Sequence, residues 1–470
     1  MKYRFALAAV CAAVFVSFAV GGCGGLSSVS DDGANAGVSK KTKKAGGSRR
    51  NRSPKAQYTD TPERRKRLGW WKDARFGVFV HWGVYSVLGG EWKGKDYGKE
   101  EGGPSAEWIM RTAKISKDDY AEVARRFNPV KYDPDHWAEL AATAGAKYMV
   151  LTTKHHDGWA LFDTKADEWG VGYQSPFKKD LVGMFADACR KHGLKVGFYY
   201  SHRKDWVNNK GNACGPEYLK LVEKQLTELL TNYGKVDIMW FDMGRDGGEV
   251  ARLCRDLVRK YQPDCVISGR IGGGYGDYTS FKDRHLPPPG SDIDGETCMT
   301  TRLNWGYDND DDNWKSPGEV IRMLSTCACR NSNFLLNLGP KPDGTLCSEE
   351  EKRLKAIGEW MVKHAEAVRG TRGLPWGDGG NWGATVSKDG RSVYIHIWKW
   401  PLAGKIVVET PLKVAGSAFL SNSEAVRVSR GSGGKSVVLE IGAKPPIGVG
   451  VPVVKLSLAE AFSAVGGEGE

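Results

Sequence analysis

Six short, almost wholly apolar runs, separated by longer amphipathic stretches, limit this chain to very few folds. The runs are RFGVFVHW (75–82), KYMVLTT (147–153), KVGFYYS (195–201), VDIMWFD (236–242), CVISGR (265–270) and FLLNLGP (334–340). They lack the apolar/polar alternation of a half-exposed strand, so they predict parallel strands covered on both faces. Between them, residues 135–144 (opened by Pro134), 181–192 (closed by Gly193), 216–233 and 350–368 carry apolar residues at helical spacing. Six to eight strand–helix units in about 300 residues favour a (β/α)8-like, TIM-type α/β barrel, expected over 59–370.

After Arg369 the period changes. SVYIHIW (392–398) and SVVLEIG (436–442) lie between glycine-rich turns. Period two with such turns predicts a C-terminal antiparallel β-sandwich over 371–470.

The formal charge of +12 raises a nucleic-acid reading, but eight of the basic residues fall between Lys40 and Lys55 in one polar run. About +4 remains for the body, too little for a phosphate-tracking face, so no nucleic-acid partner is expected. Lys2 and Arg4 precede an apolar stretch that ends at Val20-Gly21-Gly22-Cys23, the pattern of a secretory signal with a site that resembles a bacterial lipobox. Residues 1–23 are therefore expected to be a lipoprotein signal with Cys23 lipidated, and 24–58, poor in large apolar residues, a flexible basic tether. Attachment would be through lipid alone, placing an exported protein in the periplasm or on the outer-membrane or cell surface. Of 10 cysteines, Cys11 and Cys23 belong to the leader and the other eight are scattered, which favours buried thiols over a disulfide framework.

Polar residues gather where the apolar runs end, and in a β/α barrel those ends form the active-site mouth. His81 ends the first run, His155 and His156 follow the second, Tyr199 and Tyr200 close the third, Asp242 ends the fourth and Arg270 the fifth. Asp242 cannot continue a buried strand, so its carboxylate either faces the mouth or caps the next helix. Glycoside cleavage divides its work between two acids, and Glu296 in GETCMT, read as a glycine-flanked loop, is the leading second carboxylate, with Asp283 and Asp277 as rivals. The histidines with a strand-end Asp also admit a metal-dependent barrel hydrolase. Against that stand the lone His81 followed by Trp82 and the aromatics around every candidate ligand, which suit sugar hydroxyls better.

The stretches RFGVFVHWGVYS (75–86), SAEWIM (105–110), TTKHHDGWALFDT (152–164), KVGFYYS, VDIMWFD, LNWGYD (303–308) and NFLLNLGPKPDGT (333–345) occur in one order over about residues 60–370. Together they resemble the α-L-fucosidases of glycoside hydrolase family 29. The resemblance implies a barrel with a β-sandwich, an exo-acting retaining mechanism on a fucosylated glycan, and no metal or cofactor. It implies Asp242 as nucleophile. His81, Glu107, Trp108, His155, His156, Tyr200, Trp240 and Arg270 would line the fucose pocket, with Tyr199 as the alternative to Tyr200, and Trp305 would wall the sugar's methyl group. The general acid transfers less directly. One branch of the family carries it as Glu in a Thr-Pro-Glu motif after Gly-Asp-Tyr, whereas here Gly276-Asp277-Tyr278-Thr279 runs into Ser280-Phe281-Lys282. That departure moves the assignment to Glu296 and leaves a catalytically weak, fucose-binding relative as the second reading.

Overall fold

The computed structural model describes residues 58–98, 106–244, 246–446 and 450–462; the leader, Cys23 and the tether up to residue 57 lie outside the described residues. Helix α1 (Pro62–Ala74) starts at Thr61, whose side chain accepts from the Arg64 N–H, and ends at Arg75 in a left-handed conformation. It feeds β1 (Phe76–Val80). There follow α2 (Pro134–Thr143), β2 (Tyr148–Lys154), α3 (Leu181–Lys191), β3 (Lys195–Tyr200), α4 (Pro216–Thr231), β4 (Ile238–Phe241), α5 (Gly248–Tyr261) and β5 (Val266–Ile267). Then come β6 (Thr279–Ser280), β7 (Gly295–Thr300), α6 (Pro317–Cys329), β8 (Ser332–Leu338) and α7 (Ser348–Val368).

The strands form one curled sheet in the order β5-β4-β3-β2-β1-β8-β7-β6, all parallel, which is sequential order around a ring. This is the (β/α)8-like architecture expected. The ladder is open between the two short strands β5 and β6. There Asp277 spans the seam: its N–H donates to Ile267 O (2.8 Å) and its Oδ2 accepts from Ile267 N (2.8 Å). Arg67 and Arg259 hold the same carboxylate at 2.8 and 2.6 Å. Asp277, a rival for the second acid, is thus committed to the sheet.

Side-chain parity decides what enters the barrel. Phe79, Tyr148, Val150, Tyr199, Ile238, Trp240, Cys298 and Leu335 pack together inside, with Trp71 and Leu68 of α1 in the same cluster. Trp71 stacks on Tyr278 at 4.3 Å between centroids. The intervening residues Val78, Val80, Met149, Leu151, Phe198, Tyr200, Met239 and Phe241 face outward onto the helices. Glycine at an inward position makes room for large rings: a Cβ on Gly77 would stand 2.4 Å from the Tyr148 ring.

Strands β6 and β7 correct the sequence expectation: GETCMT is a strand and not a loop. Its inward positions are Glu296 and Cys298, so the strand never presents an apolar run, although all six residues are buried. Helices α1, α5 and α6 were also not anticipated; α6 opens with a capping box between Ser316 and Glu319.

Beyond α7 two antiparallel sheets follow. One, of five strands, contains Arg372–Asp378, Trp382–Val386, Ser392–Ile397, Val453–Leu458 and Val414–Phe419; the other, of three, contains Lys405–Val408, Val437–Glu440 and Arg427–Arg430. Val393, Ile395, Val454 and Leu456 of the first meet Ile406, Val408, Val437 and Leu439 of the second in a separate core, a β-sandwich. Arg75, just before β1, donates to Thr371 O (2.9 Å) and to Asn331 Oδ1 (3.1 Å), just before β8. The attachment is therefore at the N-terminal ends of the strands, opposite the mouth. Among the described residues all eight cysteines are free, and no helix is long and apolar enough to cross a membrane.

Candidate active site

The C-terminal ends of the strands surround a pocket of about 390 Å³, its open mouth included. It is lined by His81, Glu107, Trp108, His155, His156, Trp240, Asp242, Arg270 and Trp305, together with Phe79, Tyr199, Met243, Asp283 and Cys298. Residues scattered over more than 200 positions of sequence thus share one concavity at the barrel mouth, the place this architecture reserves for chemistry.

Asp242 follows the last residue of β4 and keeps the inward parity of Ile238 and Trp240. Its Oδ2 accepts from Tyr199 Oη (3.2 Å) and faces His156 Nε2 (3.6 Å). Its Oδ1 accepts from Met243 N (2.8 Å) and from Arg270 Nη1 (3.3 Å). Met243 adopts φ 62°, which turns the chain sharply away and leaves the carboxylate at the pocket wall. Burial raises the Asp242 pKa; Arg270 and the Met243 N–H pull it back, and the Asp283 charge pushes it up.

Arg270 connects two acids. Its Nη1 is on Asp242, while Nη2 donates to Asp283 Oδ1 and to Phe281 O (3.1 Å). Its guanidinium also lies 5.1 Å from the Trp240 ring centroid. The Asp283 side chain is 45% exposed, at the open side of the pocket.

Three imidazoles form a further part of the wall, continuous with Asp242 through His156. His81 Nδ1 pairs with Asn337 Oδ1 (2.6 Å), an acceptor, so Nδ1 carries the proton and Nε2 is left as an acceptor. The Ser201 hydroxyl donates to Lys204 O (2.6 Å) and so accepts from His156 Nδ1 (2.6 Å). Burial drops the His81 pKa to about 4 and drives those of His155 and His156 well below the usual histidine range. His155 Nδ1 is buried without a protein partner. Glu107 accepts from Gly306 N (3.0 Å), tying the helical turn at Ala106–Trp108 to the segment of Trp305. Trp305 lies 5.0 Å from the His81 ring, and Trp108 meets His156 edge-on at 5.2 Å.

Two candidates fall outside the pocket. Tyr200 has outward parity: its hydroxyl donates to Gln225 of α4 (2.7 Å) and Lys154 Nζ sits 4.4 Å over its ring. Tyr199 occupies the wall instead. Glu296 is 1% exposed in the barrel interior, level with the start of β8, where it accepts from Tyr148 Oη (2.7 Å), Trp240 Nε1 (2.8 Å) and Tyr278 Oη (2.7 Å). Trp240 lies between it and the mouth. Burial raises its pKa while those three donors lower it. Such a carboxylate can hold an aromatic layer together, but it does not itself line the pocket and touches it only through Trp240. Of the residues not anticipated, Phe79 shares the parity of His81 and Cys298 that of Glu296, a signal legible in the sequence; nothing local marks Met243.

A strand-end carboxylate with a second acid on the same arginine, in a pocket of neutral imidazoles and indoles, is chemistry for a sugar. The family model for α-L-fucosidase matches residues 46–366. The chain belongs to the α-L-fucosidase family. Within that family, glycoside hydrolase family 29, it is 30% identical over 402 residues to the tissue α-L-fucosidase of Macaca fascicularis, covering 79% of this chain and 84% of the relative. The tissue α-L-fucosidase of Homo sapiens is 30% identical over 394 residues, covering 77% and 83%. Among solved structures, α-L-fucosidase isoenzyme 1 from Paenibacillus thiaminolyticus superposes with a TM-score of 0.74 at 30% identity, over 85% of this chain and all of the other (100%). An α-L-fucosidase from Bacteroides thetaiotaomicron, trapped as a covalent intermediate with 2-fluoro-fucosyl fluoride, gives 0.76 at 28% identity over 87% and 98%.

Proposed function

We propose that this chain is an exo-acting retaining α-L-fucosidase in which Asp242 is the nucleophile and Asp283 the general acid and base. The observation that carries the reading is the pair of carboxylates on one guanidinium at the pocket wall, one buried and one at the opening. Asp242 Oδ2 attacks the anomeric carbon as the glycosidic bond breaks, and Asp283 gives its proton to the departing oxygen, which must leave through the open side. Asp283 then takes a proton from the water that cleaves the fucosyl ester. Arg270 stabilises the Asp242 carboxylate and must release Asp283 as substrate enters, so that the Asp283 carboxyl can turn to the departing oxygen. The trapped covalent intermediate of the Bacteroides thetaiotaomicron relative supports double displacement.

Neutral His81, His155 and His156 offer acceptors and donors to ring hydroxyls, and Trp305 offers an apolar wall for the methyl group. The reading of an inactive fucose-binding relative rested on Lys282 standing where one branch carries its acid. Asp283, the next residue, lines the pocket, which favours an active enzyme. The test is release of fucose from an aryl α-L-fucoside followed by NMR: the α-anomer should form first, and first-formed β-anomer would refute retention.

The domain reading is a catalytic barrel over 59–370 and a sandwich over 371–470, behind a signal at 1–23 and a tether at 24–58. Cys23 is the proposed site of lipidation, making this an exported, lipid-anchored protein. Each buried methylene of an acyl chain contributes about 0.8 kcal/mol, so salt should not release the protein from membranes and Cys23→Ala should. Release of the wild type by salt would break that reading.

A further inference from the structure

We propose that Asn337 is a positioning residue whose single amide sets both the proton on His81 and the seat of Trp305, so that one side chain behind the pocket wall governs recognition of a sugar hydroxyl and of the methyl group. This rests on the fucosidase reading above and adds a specificity determinant to it. Asn337 is the last inward residue of β8: it pairs with Phe79 of β1 and shares the parity of Leu335, which packs inside the barrel. It is 1% exposed, and both ends of its amide are engaged by groups of the pocket wall.

A backbone group dictates the arrangement. The Trp305 carbonyl can only accept, so the amide atom 2.7 Å from it is the NH2 group, Nδ2. That turns Oδ1 toward His81 Nδ1 at 2.6 Å, and an oxygen without a proton needs an N–H opposite it. His81 is thereby held with its proton on Nδ1, and Nε2 keeps a lone pair that calls for a donating hydroxyl in the pocket. The same contact holds the indole wall. The Trp305 carbonyl and the Gly306 N–H belong to one planar peptide unit; Asn337 donates to one end, and Glu107 accepts from the other at 3.0 Å. A peptide clamped at both ends has little freedom to rotate, which seats the Trp305 indole 5.0 Å from the His81 ring. Gly339 permits the close approach, since a Cβ there would stand 2.9 Å from the Trp305 carbonyl oxygen. His81, Glu107 and Trp305, all lining the pocket, are thus joined through one buried amide and one peptide. Loss of the amide takes a partner from His81 and from Trp305 together.

The experiment reads the tautomer first, by nitrogen NMR of isotope-labelled histidine with His81 assigned through a His81→Gln variant. In the wild type at about pH 7, Nδ1 of His81 should carry the proton and Nε2 should not. A His81 protonated on Nε2 would overturn the proposal before any change is made at Asn337. Asn337→Leu, similar in shape but without the amide, should release that preference and lower kcat/KM on an aryl α-L-fucoside by about tenfold, chiefly through KM. Its preference for the fucoside over the matching α-L-galactoside, which carries a hydroxymethyl group where fucose has its methyl, should narrow by about threefold or more. Asn337→Asp keeps an acceptor for His81 and loses the donor to Trp305, so it should retain the proton on Nδ1 while the preference narrows as in Asn337→Leu. A tautomer in Asn337→Leu like that of the wild type, or an unchanged fucoside-to-galactoside ratio in both variants, would overturn the proposal. The tautomer is read without turnover: if it follows Asn337 as expected and no fucoside is cleaved, the fucosidase reading fails and the positioning role stands.

Discussion

Two layers of the barrel interior each hold a buried carboxylate, and they differ in what else reaches it. In the lower layer Glu296 is enclosed by three donors, Tyr148, Trp240 and Tyr278, and its burial leaves no space for a visitor. In the mouth layer Asp242 has contacts of comparable number but longer reach, with Arg270 at 3.3 Å and His156 at 3.6 Å, and it faces a cavity. Burial raises the pKa of both. Burial and a perturbed acid therefore do not identify a catalytic carboxylate; an unfilled space beside it does. The lower layer resembles a hydrogen-bonded core and the upper one a site prepared for a ligand's polar groups.

The sharpest way to break this comparison is to remove each acid. Asp242→Ala should lower turnover by about 10⁴ or more while the fold persists, and a fluorosugar should label Asp242 in the wild type, read by peptide mapping. Asp283→Ala should cost on the order of 10² to 10⁴ on substrates with poor leaving groups and far less on the first step with an acidic phenol. Glu296→Ala should act on stability, on the order of 3–5 kcal/mol by denaturant titration, because three buried donors lose their acceptor. A label on Glu296, or a leaving-group-dependent loss in its variant, would exchange the roles of the two layers.

A change of pH sharpens the comparison. His81 has a folded pKa of about 4 against an ordinary 6.5, so between those values the unfolded chain takes up a proton that the folded one refuses. Stability then falls as pH drops from 6.5 toward 4, by about 3 kcal/mol from this group. Glu296, with its pKa raised, contributes the opposite slope: stability is lost as pH rises from its unfolded value toward the folded one. Fucose binding through neutral imidazoles should hold from pH 7 to about 5; calorimetry showing affinity lost near 6.5 would reject a neutral His81.

The smallest effect separates adjacent tyrosines. Tyr199→Phe removes a hydroxyl 3.2 Å from Asp242 and should cost about tenfold in kcat/KM. Tyr200→Phe should leave the kinetics within about twofold and cost about 1–2 kcal/mol of stability, since Gln225 Oε1 loses its donor. Kinetics that respond to Tyr200 and not to Tyr199 would mean that parity had been assigned to the wrong face.

The sequence alone determined the barrel, the sandwich and the family, because apolar runs at strand length, helical spacing and ordered motifs are local properties that each segment carries by itself. It also placed Asp242 and the histidines at strand ends, where polar residues interrupt buried runs. It did not disclose β7, whose polar inward face conceals a strand and makes Glu296 look like a loop acid. Only the tertiary structure put Tyr199 rather than Tyr200 on the wall, committed Asp277 to the seam between β5 and β6, and brought Asp283 to Arg270. Those outcomes depend on parity, register and long-range pairing, and a carboxylate's role is set by partners distant in sequence and by the empty space beside it.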